Sequence, residues 1–329
     1  MANWHSDGES AGNIGAARRR GLGWGVIVAL ICPTVWGQTQ EAEAVTPINN
    51  GYVSLGAGIR FDDFDWNIAD SDGSPNVLSE LHWNDMRTPF VAAAAEWEVS
   101  RLRVRVDGVF GKIASGDNVD SDYNGNNRTL EFSRSENEAG GEVAGLSGAV
   151  GYRFTLFDRS VMRPFYLTPW LGYGGQWQWL SMTEGYQVIP ATGEFNGLNS
   201  SYDAQWTGPF VGLGLDASTH NKTEIRVELM YHPDLDYHAD ADWNLRADLQ
   251  HPVSYTHDAD GRGVNFKFTI SQYWTKSLNV YLDYQRFVYS AEDGLDVTYI
   301  SNGTTASTKL NEANWDASLF TLGLVLRLW

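Results

Sequence analysis

Two short acidic motifs carry the residue types from which hydrolytic chemistry is built. The stretch "PDLDYHADAD", residues 233–242, sets Asp234, Asp236, His238, Asp240 and Asp242 at every second position. The stretch "NVDSDYNG", residues 118–125, does the same with Asp120 and Asp122. A histidine becomes a general base when a carboxylate orients its ring, and Asp236 stands two residues from His238. On an extended chain such neighbours share a face about 7 Å apart, within reach of a side-chain hydrogen bond. Two carboxyls at that spacing can share a proton or hold a water between them, because mutual repulsion raises one pKa. Neither motif is specific alone, since acids in loops are more often solvated bystanders.

What these groups can do depends on the wall that carries them. From residue 223 to 242 the odd positions include Ile225, Val227, Leu229, Tyr231, Leu235 and Tyr237, and the even ones Glu224, Arg226, Glu228, His232, Asp234, Asp236 and His238. A period of two over that length is a strand with one apolar and one polar face. The pattern recurs in "GVNFKFTIS", "SLNVYLDYQRFVY", "RLRVRVDGVF" and the terminal "SLFTLGLVLRLW", although Trp329 falls in the polar phase. Ten strands are predicted, near 51–69, 77–98, 101–115, 139–156, 162–184, 203–217, 223–240, 263–275, 277–291 and 314–329. Tight links at 99–100, 157–161, 218–222 and 276 alternate with long polar ones at 70–76, 116–138, 185–202, 241–262 and 292–313.

Short turns at one end and long loops at the other are the marks of a closed antiparallel transmembrane β-barrel. An apolar face in lipid leaves no room for an unpaired edge. Trp177, Trp179, Tyr231, Tyr237, Tyr281 and Tyr289 are expected in interfacial girdles. Asp234, Asp236 and His238 are expected to face the lumen near its mouth, above a narrow interior packed by Arg103, Arg105, Glu224 and Arg226. A secreted β-sandwich also alternates, but the strand lengths and regular loop asymmetry favour the barrel.

The net charge of −18, from 41 acids and 23 bases, argues against a nucleic-acid partner and fits a cationic one. Arg18, Arg19 and Arg20 precede the apolar run "GLGWGVIVALICPTVWG", which reads as an export signal. Residues 1–44 are therefore assigned to a signal and short linker, cut after 37 or 44, and residues 45–329 to one outer-membrane domain. The single cysteine, Cys32, lies in that signal, so thiol catalysis is excluded.

Asp-x-Asp in "NVDSD" after the third strand, Asp-x-Asp-x-His in "PDLDYH" at the end of the seventh, and "SELHWN" at 79–84 together resemble the omptin family of outer-membrane proteases. The likeness spans roughly 51–329. It implies an endopeptidase in a Gram-negative outer membrane, with its active site outside, cleaving cationic peptides or proteins near basic residues. On this resemblance Asp236 and His238 correspond to the dyad that activates a water, and Asp120 and Asp122 to the opposing pair. Asp234 corresponds to an acid that binds a basic substrate side chain. The family's other specificity acid, a glutamate on the first strand, has no match; Asp63 or Asp65 of "RFDDFDWN" stands in, and Tyr123 replaces a tryptophan. The resemblance implies a monomer with no metal or organic cofactor, activated by lipopolysaccharide in the surrounding outer-membrane lipid.

Two other readings compete. His232, Asp234, Asp236, His238 and Asp240 share a face and are metal-ligand types, but a strand spreads them along a line so that one ion reaches two or three. A non-enzymatic barrel, either an adhesin or an inactive omptin relative, would use its long loops instead. Geometry discriminates: the protease reading requires Asp236–His238 and Asp120–Asp122 to face each other across one groove.

Overall fold

The computed structural model describes residues 49–159, 162–219 and 222–328; the expected export segment with its cleavage positions, Cys32 and Trp329 lie outside them. Its strands are β1 (Asn49–Ile68), β2 (Ser79–Val99), β3 (Leu102–Lys112), β4 (Ser115–Gly125), β5 (Thr129–Tyr152), β6 (Phe154–Arg159), β7 (Met162–Ile189), β8 (Gly193–Phe195), β9 (Ser200–Ser218), β10 (Thr223–Asp242), β11 (Tyr255–Tyr273), β12 (Leu278–Tyr299) and β13 (Thr305–Arg327). β3 runs on into β4 and β5 into β6, while β8 pairs only with β7, so these strands build ten walls. Each wall pairs antiparallel with the next, and β1 pairs with both β2 and β13, which closes the ring.

Every wall carries an outward apolar side chain in its half nearer the short turns: Leu55, Val91, Val106, Leu146, Leu171, Leu213, Leu229, Phe268, Leu282 and Leu322 are all exposed. This is the band a bilayer core requires, and about 9–11 residues of tilted strand suffice to cross it. The strands are far longer: β12 has 22 residues and β13 has 23. Their upper halves, at the long-loop end, therefore rise beyond the band. The predicted loops at 116–138 and 292–313 are mostly strand, with β4 turning into β5 across 126–128 and β12 into β13 across 300–304.

The lumen is filled differently at its two levels. Lower down, Arg103 Nε donates to Glu96 at 2.8 Å and its Nη1 to Asp216 at 2.8 Å, Arg226 bridges the same two acids, and Arg105 pairs with Glu228 at 2.7 Å. Trp170 lies under both Arg103 and Arg105. Higher up, an aromatic plug crosses the barrel, with Tyr202 of β9 against Phe64 and Trp66 of β1 and Trp83 of β2, and Trp206 against Tyr237 of β10. The expected girdle is corrected accordingly: Trp179 and Tyr231 face outward, but Tyr237, Tyr281 and Tyr289 are buried inside.

Between the two levels several strands slip by one residue. On β10, three steps from His232 to Leu235 match two steps from Gly263 to Gly261 on β11. On β2, three steps from Trp83 to Met86 match two on β1, with Asp85 at φ 52°. On β12, the three steps from Glu292 to Leu295 match two on β11, with Asp293 at φ 56°. Each is a bulge, and one extra residue exchanges the inner and outer faces beyond it.

Candidate functional site

The upper half carries the seven expected site residues, and on β10 a bulge decides which side of the wall they occupy. Below the β10 bulge, Met230 and His232 are buried inward while Leu229 and Tyr231 are exposed. Above it, Leu235, Tyr237, Ala239 and Ala241 are buried in the core. Asp234 and Asp236 are therefore exposed on the outer surface, with His238 beside them. The lumenal placement expected for these three is corrected, because the alternation changes phase at the bulge between His232 and Leu235. Pro233, which has no N–H to give to the ladder, stands inside the slipped segment. The bulge also separates His232 from the acids with which it was expected to share a metal-ligating face.

Outside the wall His238 is held by carboxylates on both ring nitrogens, with Nδ1 2.6 Å from Asp258 and Nε2 3.4 Å from Asp240. Partial burial alone would lower its pKa, but these carboxylates raise it above the usual imidazole value. Asp258, rather than Asp236, is the acid that orients the ring. Asp63 and Asp65 also face outward, since Phe64 and Trp66 between and beside them are in the core. Asp63 accepts the backbone N–H of Asp85 at 2.9 Å, and Asn314 donates to Asp65 at 3.2 Å.

Asp120 and Asp122 alone among the seven expected site residues face the lumen. Their register partners are Leu81 and Ser79 on β2 and Ser135 and Ser133 on β5, all turned inward. Burial, then the neighbouring Asp122, pushes the Asp120 carboxyl up to about 8, while Trp243 and Arg246 of the β10–β11 loop pull the other way. Burial raises Asp122 as well, against hydrogen bonds from Ser79 and Ser133. Both shifts favour the protonated form of the pair over two bare carboxylates.

The lumen does contain a histidine–aspartate pair at this level, from strands that the motifs did not indicate. His257 of β11 is fully buried, with Nδ1 2.7 Å from the Tyr202 hydroxyl and Nε2 3.2 Å from Asp296 of β12. Thr308 donates to Asp296 at 2.7 Å, and the Tyr202 hydroxyl continues to that of Tyr237 at 2.5 Å. Nδ1 is held by the Tyr202 hydroxyl, whereas Nε2 lies beside Asp296 without a hydrogen-bond partner among the described residues. His257 ties β9, β10, β11, β12 and β13 into one plug.

The loop between β10 and β11 closes over this end. Trp243 packs on Tyr255 at 4.7 Å, Asn244 is bound to the segment before β9, and Gln250 to the β12–β13 turn. The wall of β10 thus stands between Asp236–His238 and Asp120–Asp122. Among the described residues, Asp236 and His238 lie on the outer face of β10 and Asp120 and Asp122 on the inner face of β4.

A family model described as Pom, Protochlamydia outer membrane protein, matches residues 54–327. Among solved structures, the outer membrane protease OmpT from Escherichia coli is similar with a TM-score of 0.73 at 13% identity, covering 87% of this chain and 99% of that one. The translocator domain of the autotransporter NalP from Neisseria meningitidis aligns with a TM-score of 0.36 at 11% identity, over 84% of this chain and 88% of that one. No curated protein matches. At such identities the likeness to OmpT shows a shared barrel fold.

Proposed function

The chain belongs to the Pom family of Protochlamydia outer membrane proteins, and from that premise we propose that it is a closed, non-enzymatic outer-membrane barrel that binds cationic peptides or proteins outside the cell. The observation that carries this reading is the β10 bulge, which puts the Asp-x-Asp-x-His row on the outside and an aromatic plug within. The outer row is continuous across three strands: Asp236 pairs with Asp260, His238 with Asp258, and Asp240 with Asp203. A surface of one sign attracts partners of the other and loses them as salt rises. In this orientation the short turns are periplasmic and the acidic face stands above the lipid.

One observation favours a second reading, an omptin-like endopeptidase. The inward Asp120–Asp122 pair favours its protonated form near the mouth, as a water-activating carboxyl pair would. The two readings separate in one assay. Refolded protein, with and without lipopolysaccharide, is given a fluorogenic dibasic peptide beside its Asp120→Ala and His238→Ala variants. The binding reading expects salt-sensitive retention of the peptide and no turnover in any of the three. Turnover by the wild type that Asp120→Ala abolishes would overturn it in favour of the peptidase.

A further inference from the structure

Below the plug the barrel encloses a second space that neither acidic motif touches. Its volume is about 410 Å³, and its lining runs from Trp206, Phe210 and Tyr289 at the ceiling to Tyr52 and Ser218 beside the short turns. That is the size of a small-molecule pocket, for which ~300–1,000 Å³ is usual.

Polar atoms at the ceiling are buried without an answer. Among the described residues, Trp206 Nε1, Gln176 Oε1 and His232 Nδ1 have no hydrogen-bond partner. Trp206 is fully buried and His232 is 6% exposed. They belong to one patch: Gln176 and Trp206 are register partners across β7 and β9, and the Tyr289 ring lies 5.9 Å from Trp206 and 5.2 Å from His232. Each bears a desolvation cost that a partner would remove. Their chemistry specifies that partner. The indole N–H requires an acceptor and the amide oxygen a donor. His232, whose Nε2 is 3.2 Å from the Tyr289 hydroxyl, can take either. Phe90, Phe210, Met230 and Phe287 supply apolar surface around them. The basic groups lower in the chamber are already neutralised, Arg105 by Glu228, Arg226 by Asp216 and Glu96, and Lys267 by Asp283. Among the described residues lining the chamber, these cations are already paired and offer no anion site.

We infer that this chamber binds a small uncharged molecule with a ring-sized apolar body and a head carrying both a hydrogen-bond donor and an acceptor, as a primary carboxamide does, admitted from the short-turn end. Benzamide is the probe and toluene the control without a head. Titration calorimetry on refolded protein in detergent micelles, with folding checked by the heat-dependent gel mobility of barrels, should show saturable one-to-one benzamide binding. Toluene binding, and benzamide binding by Gln176→Leu or His232→Phe, should each be weaker by about tenfold, the worth of one well-placed polar contact. Ala92→Trp, which puts an indole inside the chamber, should weaken benzamide binding. Absence of saturable binding by the wild type would overturn the inference, leaving ordered water as the ceiling's partner. Undiminished binding by Ala92→Trp would also overturn it, by placing benzamide in the micelle, and equal affinity for toluene would remove the polar head from recognition. Asp236→Asn on the outer face should leave benzamide affinity unchanged, so this test fails or succeeds independently of the surface-binding reading.

Discussion

Asp120 and Asp122 on β4 and Asp236 and His238 on β10 have the same spacing and stand at the same end of the barrel. One pair faces the lumen among serines; the other faces outward among acids. The difference lies in the wall. A bulge on β10 carries one more residue than its neighbours on either side, and that single insertion turns every later side chain over. The inward pair consequently loses water, which pushes the pKa of its carboxyls up, while the outward pair stays at the surface of the wall. Hydrolysis on the omptin pattern would need both pairs around one water, whereas the proposed attraction at the outer face needs the outward row alone.

The comparison breaks most completely if the bulge is removed. Deletion of Pro233 would drive Asp234, Asp236 and His238 into the plug and Tyr237 out of it, and should leave no refolded, heat-modifiable species on a gel. Refolding with wild-type stability would show that the bulge does not set the faces. Next in size is the ion-paired lower lumen. Arg103→Ala leaves Glu96 and Asp216 short of a buried partner and should cost about 3–5 kcal/mol in urea unfolding. Smaller is Tyr202→Phe, which removes the hydroxyl joining Tyr237 to His257, for about 1–3 kcal/mol.

The inward and outward motifs should then part in their response to pH. An unfolded aspartate ionises near ~3.9, but folded Asp120 keeps its proton to about 8. Between those values the unfolded state binds fewer protons, so stability falls as pH rises from about 4 to 8 and levels off above. Urea midpoints across that range should show the decline in wild type and a flatter profile in Asp120→Asn. The smallest effects belong to the outer face. Asp236→Asn should change stability by no more than about 0.5 kcal/mol, as for an exposed group. By NMR, His238 should titrate above the ordinary imidazole value, and Asp258→Asn should bring it down. An unchanged His238 titration would mean that Asp258 does not hold the ring.

Legibility followed the solvent. Within the lipid band, one face must be apolar and the other polar, so Ile225 to Tyr231 and Leu322 to Leu328 declared both strand and orientation. The ion-paired lumen of Arg103, Arg105 and Arg226 was readable for the same reason. Above the band the outer face is polar too, and the inner face of β5 carries Ser133, Ser135 and Asn137, so contrast between faces vanishes and strands read as loops. Pro233 stands inside the segment where the phase changes. His257 and Asp296 left no mark, because 39 residues apart they meet only through the pairing of β11 with β12.

The sequence by itself determined that this chain is a closed antiparallel barrel with a lipid-facing band, since period-two alternation is a property each strand shows alone. Which acids share a compartment was decided only by the tertiary structure. A bulge has meaning solely relative to the register of its neighbours, and burial in the plug depends on side chains arriving from walls on opposite sides of the ring.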